Sequence, residues 1–237
     1  VALLEPQEIQ LGFLKVLPGT PLFSEARQIG LCYSPEPPYE ILASDAMTFA
    51  ELTRLKAIAA TLDRYQNSGA FPVTLPWLIR QAASPFAFFS GLADALAEGG
   101  WLKRPMSQKT RAALLQEYGS SLLKPETREI LRSRLRLDYL LQGAKDEPEF
   151  LQRPDQAADP LIRERYRQAR EQIRQQHPGV SRCRLAGFTL DEPVAWPLAA
   201  GKEAAPEQPT VLPAGEILCG FALTEAGPRL LFLQKIR

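Results

Sequence analysis

Gln10–Leu22 reads QLGFLKVLPGTPL, and the architecture of the N-terminal part of the chain turns on it. From Ile9 to Leu17 the residues are nearly all apolar, with Gln10 and Lys15 the polar exceptions. Such a run is expected of a strand covered on both faces in a parallel sheet. Pro18 ends it. Gly19 permits a sharp turn, Thr20 can cap the free N–H groups of a following helix, and Pro21 suits the first helical position, where its missing N–H has no partner to lose. The stretch therefore predicts strand, tight turn and helix, the helix running through Leu22, Phe23 and Ala26 to about Gln28 and stopping at Gly30.

Beyond Gly30, the prolines of CYSPEPPYEIL at 35, 37 and 38 exclude a helix and predict an extended loop. Thr48 and Glu51 form a capping-box pattern, and Leu52, Leu55, Ile58, Ala59, Leu62 and Tyr65 recur at helical spacing until Asn67-Ser68-Gly69. Leu55 and Leu62 are both expected in the core. Further helices are predicted over about 75–83, 85–98, 107–118 and 125–142, each bounded by Pro, Gly or Ser. The pattern lapses between Gly143 and Pro160, and Leu161–Gln176 then resumes as a charged, peripheral helix. Strand character marks Cys183–Leu190, Glu216–Leu223 and Arg229–Ile236, the last two as a hairpin. The Pro- and Ala-rich stretch between the first two strands reads as an irregular loop.

The fold class expected is α+β, mainly α: a helical bundle with a small C-terminal antiparallel sheet. At 237 residues there is room for one large or two small cores. Hydrophobic residues at 45% and charged residues at 23% are values of a folded globular protein, which excludes the disordered and fibrous classes. A net charge of +1 gives no whole-molecule argument for nucleic acid, and none is expected as a partner. No apolar run is long enough to span a membrane and no secretion signal is legible, so a cytoplasmic protein without membrane partners is expected. Cys32, Cys183 and Cys219 are widely spaced, and His177 is the sole histidine, which leaves no zinc or iron–sulfur ligand set in this chain.

Taken together, QLGFLKVLPGTPL, YSPEPPYEIL, LTRLKAIAATLDRYQNSGAF and RLRLDYLL resemble the C-terminal portion of cobalamin-binding radical S-adenosylmethionine (SAM) proteins, a portion known as a domain of unknown function. The resemblance covers roughly the first 145 residues. It implies a longer polypeptide in which a cobalamin-binding domain and a radical-SAM (β/α) barrel precede this part, the barrel carrying a 4Fe-4S cluster on a C-x-x-x-C-x-x-C loop that this chain lacks. On that reading residues 1–30 are the end of the barrel, 31–145 the helical C-terminal domain, 146–180 a linker and charged helix, and 181–237 a small antiparallel β subdomain. A start on Val1, not Met, fits a split polypeptide or a piece of a longer one. The cofactors implied for the complete protein are SAM, the 4Fe-4S cluster and cobalamin, with none in this chain. The partners implied are the preceding domains, with a dimer through the exposed N-terminal strand as a further route to cover its edge.

No catalytic residue is expected here. The candidate substrate-binding residues are Lys15, Gly19, Thr20, Tyr39, Tyr65, Asn67 and Ser68. Lys15 could face an anion near the barrel mouth or simply reach out to water. Gly19 and Thr20 could bring N–H groups to a ligand or serve only the turn and cap. Tyr39, beside Glu40 on a proline-stiffened loop, could cover the active-site opening. Tyr65, Asn67 and Ser68 lie at a helix end that could line a pocket or merely terminate the helix. Trp77, Phe86, Phe88 and Phe89 read as plain core in preference to a cofactor platform. Arg163, Arg165, Arg167, Arg170 and Arg174, near Tyr166 with Arg182 and Arg184 beyond, read as a solvated face, since Glu164 and Glu171 intervene. The role expected is an accessory part that selects substrate and covers the active site. The alternative is a non-catalytic helical module that binds a protein or RNA partner.

Overall fold

The structure is a computed structural model, and it describes residues 6, 8–142, 147–152, 160–178, 183–196, 210–224 and 227–235. Mainly helical with small antiparallel sheets, it is α+β as expected. The chain divides into two compact units: Val1–Ser68 with Ala83–Pro105, and Gly69–Ala82 with Met106–Arg237.

In the first unit the 10–22 stretch is extended up to Pro18, turns at Gly19 with φ +80°, and enters helix α1, Pro21–Glu25. Thr20 caps that helix by accepting from Phe23 N–H at 3.3 Å while its hydroxyl donates to the Leu17 carbonyl at 2.7 Å. The extended segment finds its partner in an antiparallel, not a parallel, neighbour. Val16 N–H donates to the Tyr39 carbonyl at 2.8 Å and Ile41 N–H to the Leu14 carbonyl at 3.0 Å, around a bridge of Lys15 with Glu40. Two-sided burial does not follow: Val16 is fully buried, but Leu11, Leu14 and Leu17 are exposed. The predicted loop after Gly30 is also corrected. Strands β1, Cys32–Tyr33, and β2, Ile41–Ala43, pair antiparallel across the proline turn, because the alternating ends of that segment pack Tyr33 and Ile41 onto Val16, Ala26 and Leu52.

Helix α2, Phe49–Tyr65, starts with the expected capping box, in which Glu51 N–H donates to the Thr48 hydroxyl and Thr48 N–H donates to the Glu51 carboxylate at 2.8 Å. Its stripe of Leu52, Ile58, Leu62 and Tyr65 is buried, whereas Leu55 lies at the margin and is only half-buried. Helix α4, Pro85–Glu98, packs on it with Phe88, Phe89, Leu92, Ala93 and Leu96. Phe88 and Phe89 meet edge to face at 5.3 Å, but Phe86 points out and is 62% exposed, so the aromatic group is core in part only.

The second unit is built round helix α6, Arg128–Leu141, in which Leu131, Leu135, Leu137, Leu140 and Leu141 are all buried. Helices α3, Thr74–Gln81, and α5, Gln108–Leu122, lie against it. Gly119 makes the approach close: a Cβ there would stand 2.9 Å from a Leu131 methyl and 3.1 Å from Leu78. Strands β3, Cys183–Leu190, β6, Gly215–Thr224, and β7, Gly227–Lys235, form an antiparallel sheet in the order β3-β6-β7. Strand alternation turns Ala186, Phe188, Ile217, Cys219 and Phe221 toward α6, and Leu185 and Leu218 toward helix α7, Pro160–Gln176. The expected irregular loop between β3 and β6 is corrected at its ends, where β4, Val194–Trp196, pairs with β5, Thr210–Leu212, as Val194 and Leu212 enter the same core. The middle of that loop lies outside the described residues.

Truncating Leu62 to Ala removes a buried side chain and should cost about 2–5 kcal/mol. The same change at half-buried Leu55 should cost clearly less, and thermal or denaturant melts that rank the two variants the other way would show that the buried face of α2 is misassigned.

Candidate functional site

Two groups of polar side chains are set by the fold, one in each unit. The first gathers around the extended N-terminal segment. Since Lys15 and Glu40 form a pair without mutual backbone hydrogen bonds, their side chains share one face. Glu40 is held by Lys56 at 2.6 Å, and the Lys56 ammonium stands 5.7 Å from the centre of the Phe13 ring. Two lysines thus flank one carboxylate. Tyr39, half-buried, is the single non-glycine residue with positive φ among the described residues, at +59°. That conformation is uncommon for an L-residue and places Glu40 back in line with Lys15.

The other sequence-predicted residues fall apart from this face. Gly19 and Thr20 serve the turn and the cap of α1. At the far end of the segment, Asn67 clamps the backbone of Ile9, accepting its N–H at 2.9 Å and donating to its carbonyl at 3.0 Å, with a further bond to Asp63 at 2.8 Å. Tyr65 is fully buried, and the Ser68 hydroxyl donates to the Tyr65 carbonyl at 3.2 Å. Lys15 and Tyr39 are therefore brought together, and Asn67 anchors the segment that carries Lys15.

The second group was not singled out by its chemistry in the sequence, although it lies inside RLRLDYLL. Buried Asp138 accepts the N–H groups of Val73 and Thr74, one on each carboxylate oxygen and each at 2.8 Å, and so supplies the cap that α3 lacks from its own residues. Burial outweighs these bonds and the nearby Arg134 charge, pushing its carboxyl up to about 7. Arg134, 2% exposed, donates to Asp191 at 2.6 Å, to Glu192 at 3.2 Å and to the Val73 carbonyl at 3.3 Å, and stacks 5.0 Å from the Trp77 ring. Trp77 Nε1–H donates to the same Asp191 at 2.8 Å. Burial would raise the Asp191 carboxyl, but the bonds from Arg134 and Trp77 prevail and hold it below its ordinary value. Arg136 donates to the Gly187 carbonyl at 2.8 Å and pairs with Glu147, which also takes Arg184 at 2.9 Å. Every polar group named on α6 has a partner, an arrangement suited to fixing a fold and not to turning over a substrate.

The cysteines do not suit an iron–sulfur cluster. Cys32 is in the first unit, Cys219 is buried against α6 with its thiol pushed up to about 12 by burial, and Cys183 lies on the opposite face of the sheet by strand alternation. Among the described residues no group of three or more His, Cys, Asp or Glu side chains could hold a metal ion. No helix among them is long and apolar enough to cross a membrane.

Replacing Asp138 by Asn puts an amide N–H₂ against one of two buried N–H donors, and unfolding should show a loss of roughly 1–3 kcal/mol. Between its unfolded value near 4 and its folded value of about 7, the folded carboxyl binds more protons than the unfolded one, so its contribution to stability falls as pH rises across that window. The stability gap between wild type and Asp138→Asn should accordingly narrow from pH 4 to pH 7. A gap that widens would mean that the ionised form is the one the site favours.

No curated protein and no solved structure gives a significant match to the chain. A family profile does match, over residues 27–186, which is more than half of the chain and includes α2 to α7 and the start of β3. By that match the chain belongs to the DUF4080 family, described as proteins of unknown function.

Proposed function

We propose that this chain is the C-terminal accessory part of a cobalamin-dependent radical-SAM enzyme, where it selects substrate and covers the active site without being catalytic by itself. The observation that carries the reading is the state of the 10–22 stretch. Its backbone pairs through one edge only, and among the described residues nothing hydrogen-bonds the other edge at Lys15. Leu11, Leu14 and Leu17 are 40–47% exposed along it. An unpaired edge bearing a row of large apolar side chains is what a strand looks like when its sheet continues in another segment. The family match begins at Arg27, just after α1, which agrees with the preceding residues belonging to a different module.

On this reading the complete protein's cluster, SAM and cobalamin supply the radical and group-transfer chemistry from the preceding domains. The residues here give shape, charge and exclusion of water. Lys15 offers an exposed ammonium on the strand that would enter the barrel, at the carboxyl-end side where barrel enzymes keep their functional loops. Tyr39 and Glu40 sit across from it, and Asn67 fixes its approach. The chain's own cysteines take no part in cluster binding.

The test is a polypeptide that carries the coding region upstream of Val1 joined to this chain, reconstituted anaerobically with iron and sulfide. It should acquire one cluster on a C-x-x-x-C-x-x-C loop and cleave SAM reductively, and Lys15→Ala in that protein should impair turnover while leaving the fold intact. A cluster-free product that leaves SAM untouched would favour an interaction module, and full activity of Lys15→Ala would remove that residue from the site.

A further inference from the structure

Helix α7 carries arginine at 163, 165, 167, 170 and 174 against glutamate at 164 and 171, and no lysine, in a protein whose net charge is only +1. Its Ala169 and Ile173 turn inward onto Leu218, with Tyr166 and Leu185 at their margin. The neighbouring stripe holds Arg163, Arg167, Arg170 and Arg174 at i, i+4, i+7 and i+11, and all four are exposed. Of the glutamates that interrupt this run in the sequence, Glu164 neutralises one member of the stripe, Arg167. Glu164 is committed to Arg167 at 2.8 Å and to Gln168 at 2.9 Å, while Glu171 accepts from Gln175 at 3.2 Å. Arg163, Arg170 and Arg174 pair with no carboxylate among the described residues.

We propose that this stripe binds the phosphate backbone of a nucleic acid without reading its sequence. Guanidinium forks match phosphate oxygens in bidentate fashion. Its ends stand about 16 Å apart at helical rise, which is room for about three phosphates. A protein partner would call for an apolar or aromatic anchor at the centre of the contact. The outward face offers none: Tyr166 and Ile173 turn in, and the exposed Leu161 lies in the first turn, away from Arg167 to Arg174. Charge alone can carry a backbone contact of this kind.

The experiment follows the anisotropy of a fluorescein-labelled oligouridylate RNA, with a mixed-sequence DNA oligonucleotide beside it, as the full chain is added from low to physiological salt. Binding should weaken with salt at a log–log slope of roughly −2 to −3, as expected for three phosphate contacts, and be similar for both probes. Arg163→Gln, Arg170→Gln and Arg174→Gln combined should lower low-salt affinity roughly tenfold or more with an unchanged melting temperature, and the triple lysine variant should retain binding. Absence of binding at low salt, binding indifferent to the triple Gln variant, or strong dependence on base sequence would overturn the proposal. So would displacement by poly-glutamate at lower charge concentration than by RNA, which would assign the face to an acidic protein.

Discussion

Asp138 reaches from the middle of α6 to the two N–H groups that open α3, and the second unit depends on that contact. A helix buried on nearly every side would ordinarily be apolar all round. Here Ser133, Arg134, Arg136 and Asp138 are buried along with the leucines between them. Each would be costly without a partner, so each dictates where a neighbour must lie. Asp138 sets the start of α3, Arg134 holds the turn after β3 through Asp191, and Ser133 accepts the N–H of Thr189 at 3.0 Å. A shift of α3 or β3 by one residue would strand several of these groups at once, which is how a polar stripe in a core selects one arrangement.

The edge of β3 and the edge of the N-terminal extended segment are met differently. Backbone groups of β3 are taken by side chains of α6: Ser133 accepts the Thr189 N–H and Arg136 donates to the Gly187 carbonyl. In the first unit the segment from Leu11 to Leu17 is paired on one side only among the described residues, and its Leu11, Leu14 and Leu17 are exposed, as are Phe23, Ile29, Met47 and Phe49 further along the chain. Asn67 and the Lys15–Glu40 bridge hold the segment in place without covering it. These exposed side chains lie in the part of the chain that precedes or opens the family match. They are the physical reason for reading this protein as a part that docks onto something larger.

Much of the helical architecture was legible because its signals are local. The Thr48–Glu51 capping box, the Ser84-Pro85 start of α4 and the glycine and asparagine stops each need only a few adjacent residues. The short strands were not legible: β1, β2, β4 and β5 have two or three residues each, beside prolines, and exist because Tyr33, Ile41, Val194 and Leu212 find distant core partners. Leu55, on the helical spacing but at the margin of the buried face, is only half-buried, because spacing gives the centre of a face better than its edge. The candidate site divides in the same way. Thr20 and Gly19 show their turn chemistry in the sequence, whereas the meeting of Lys15 with Glu40 and Lys56, and the capping of α3 by Asp138 some sixty-five positions away, are long-range facts with no local signature.

Amide hydrogen exchange along Leu11–Leu17 tests the central claim most directly. Fast exchange is expected at Lys15 in this chain alone, where its N–H has no partner among the described residues, and strong protection of the same amide when the chain is produced joined to the preceding barrel domain proposed above. Equal exchange in the two proteins, or full protection in the isolated chain, would mean that the edge is not completed by a preceding domain.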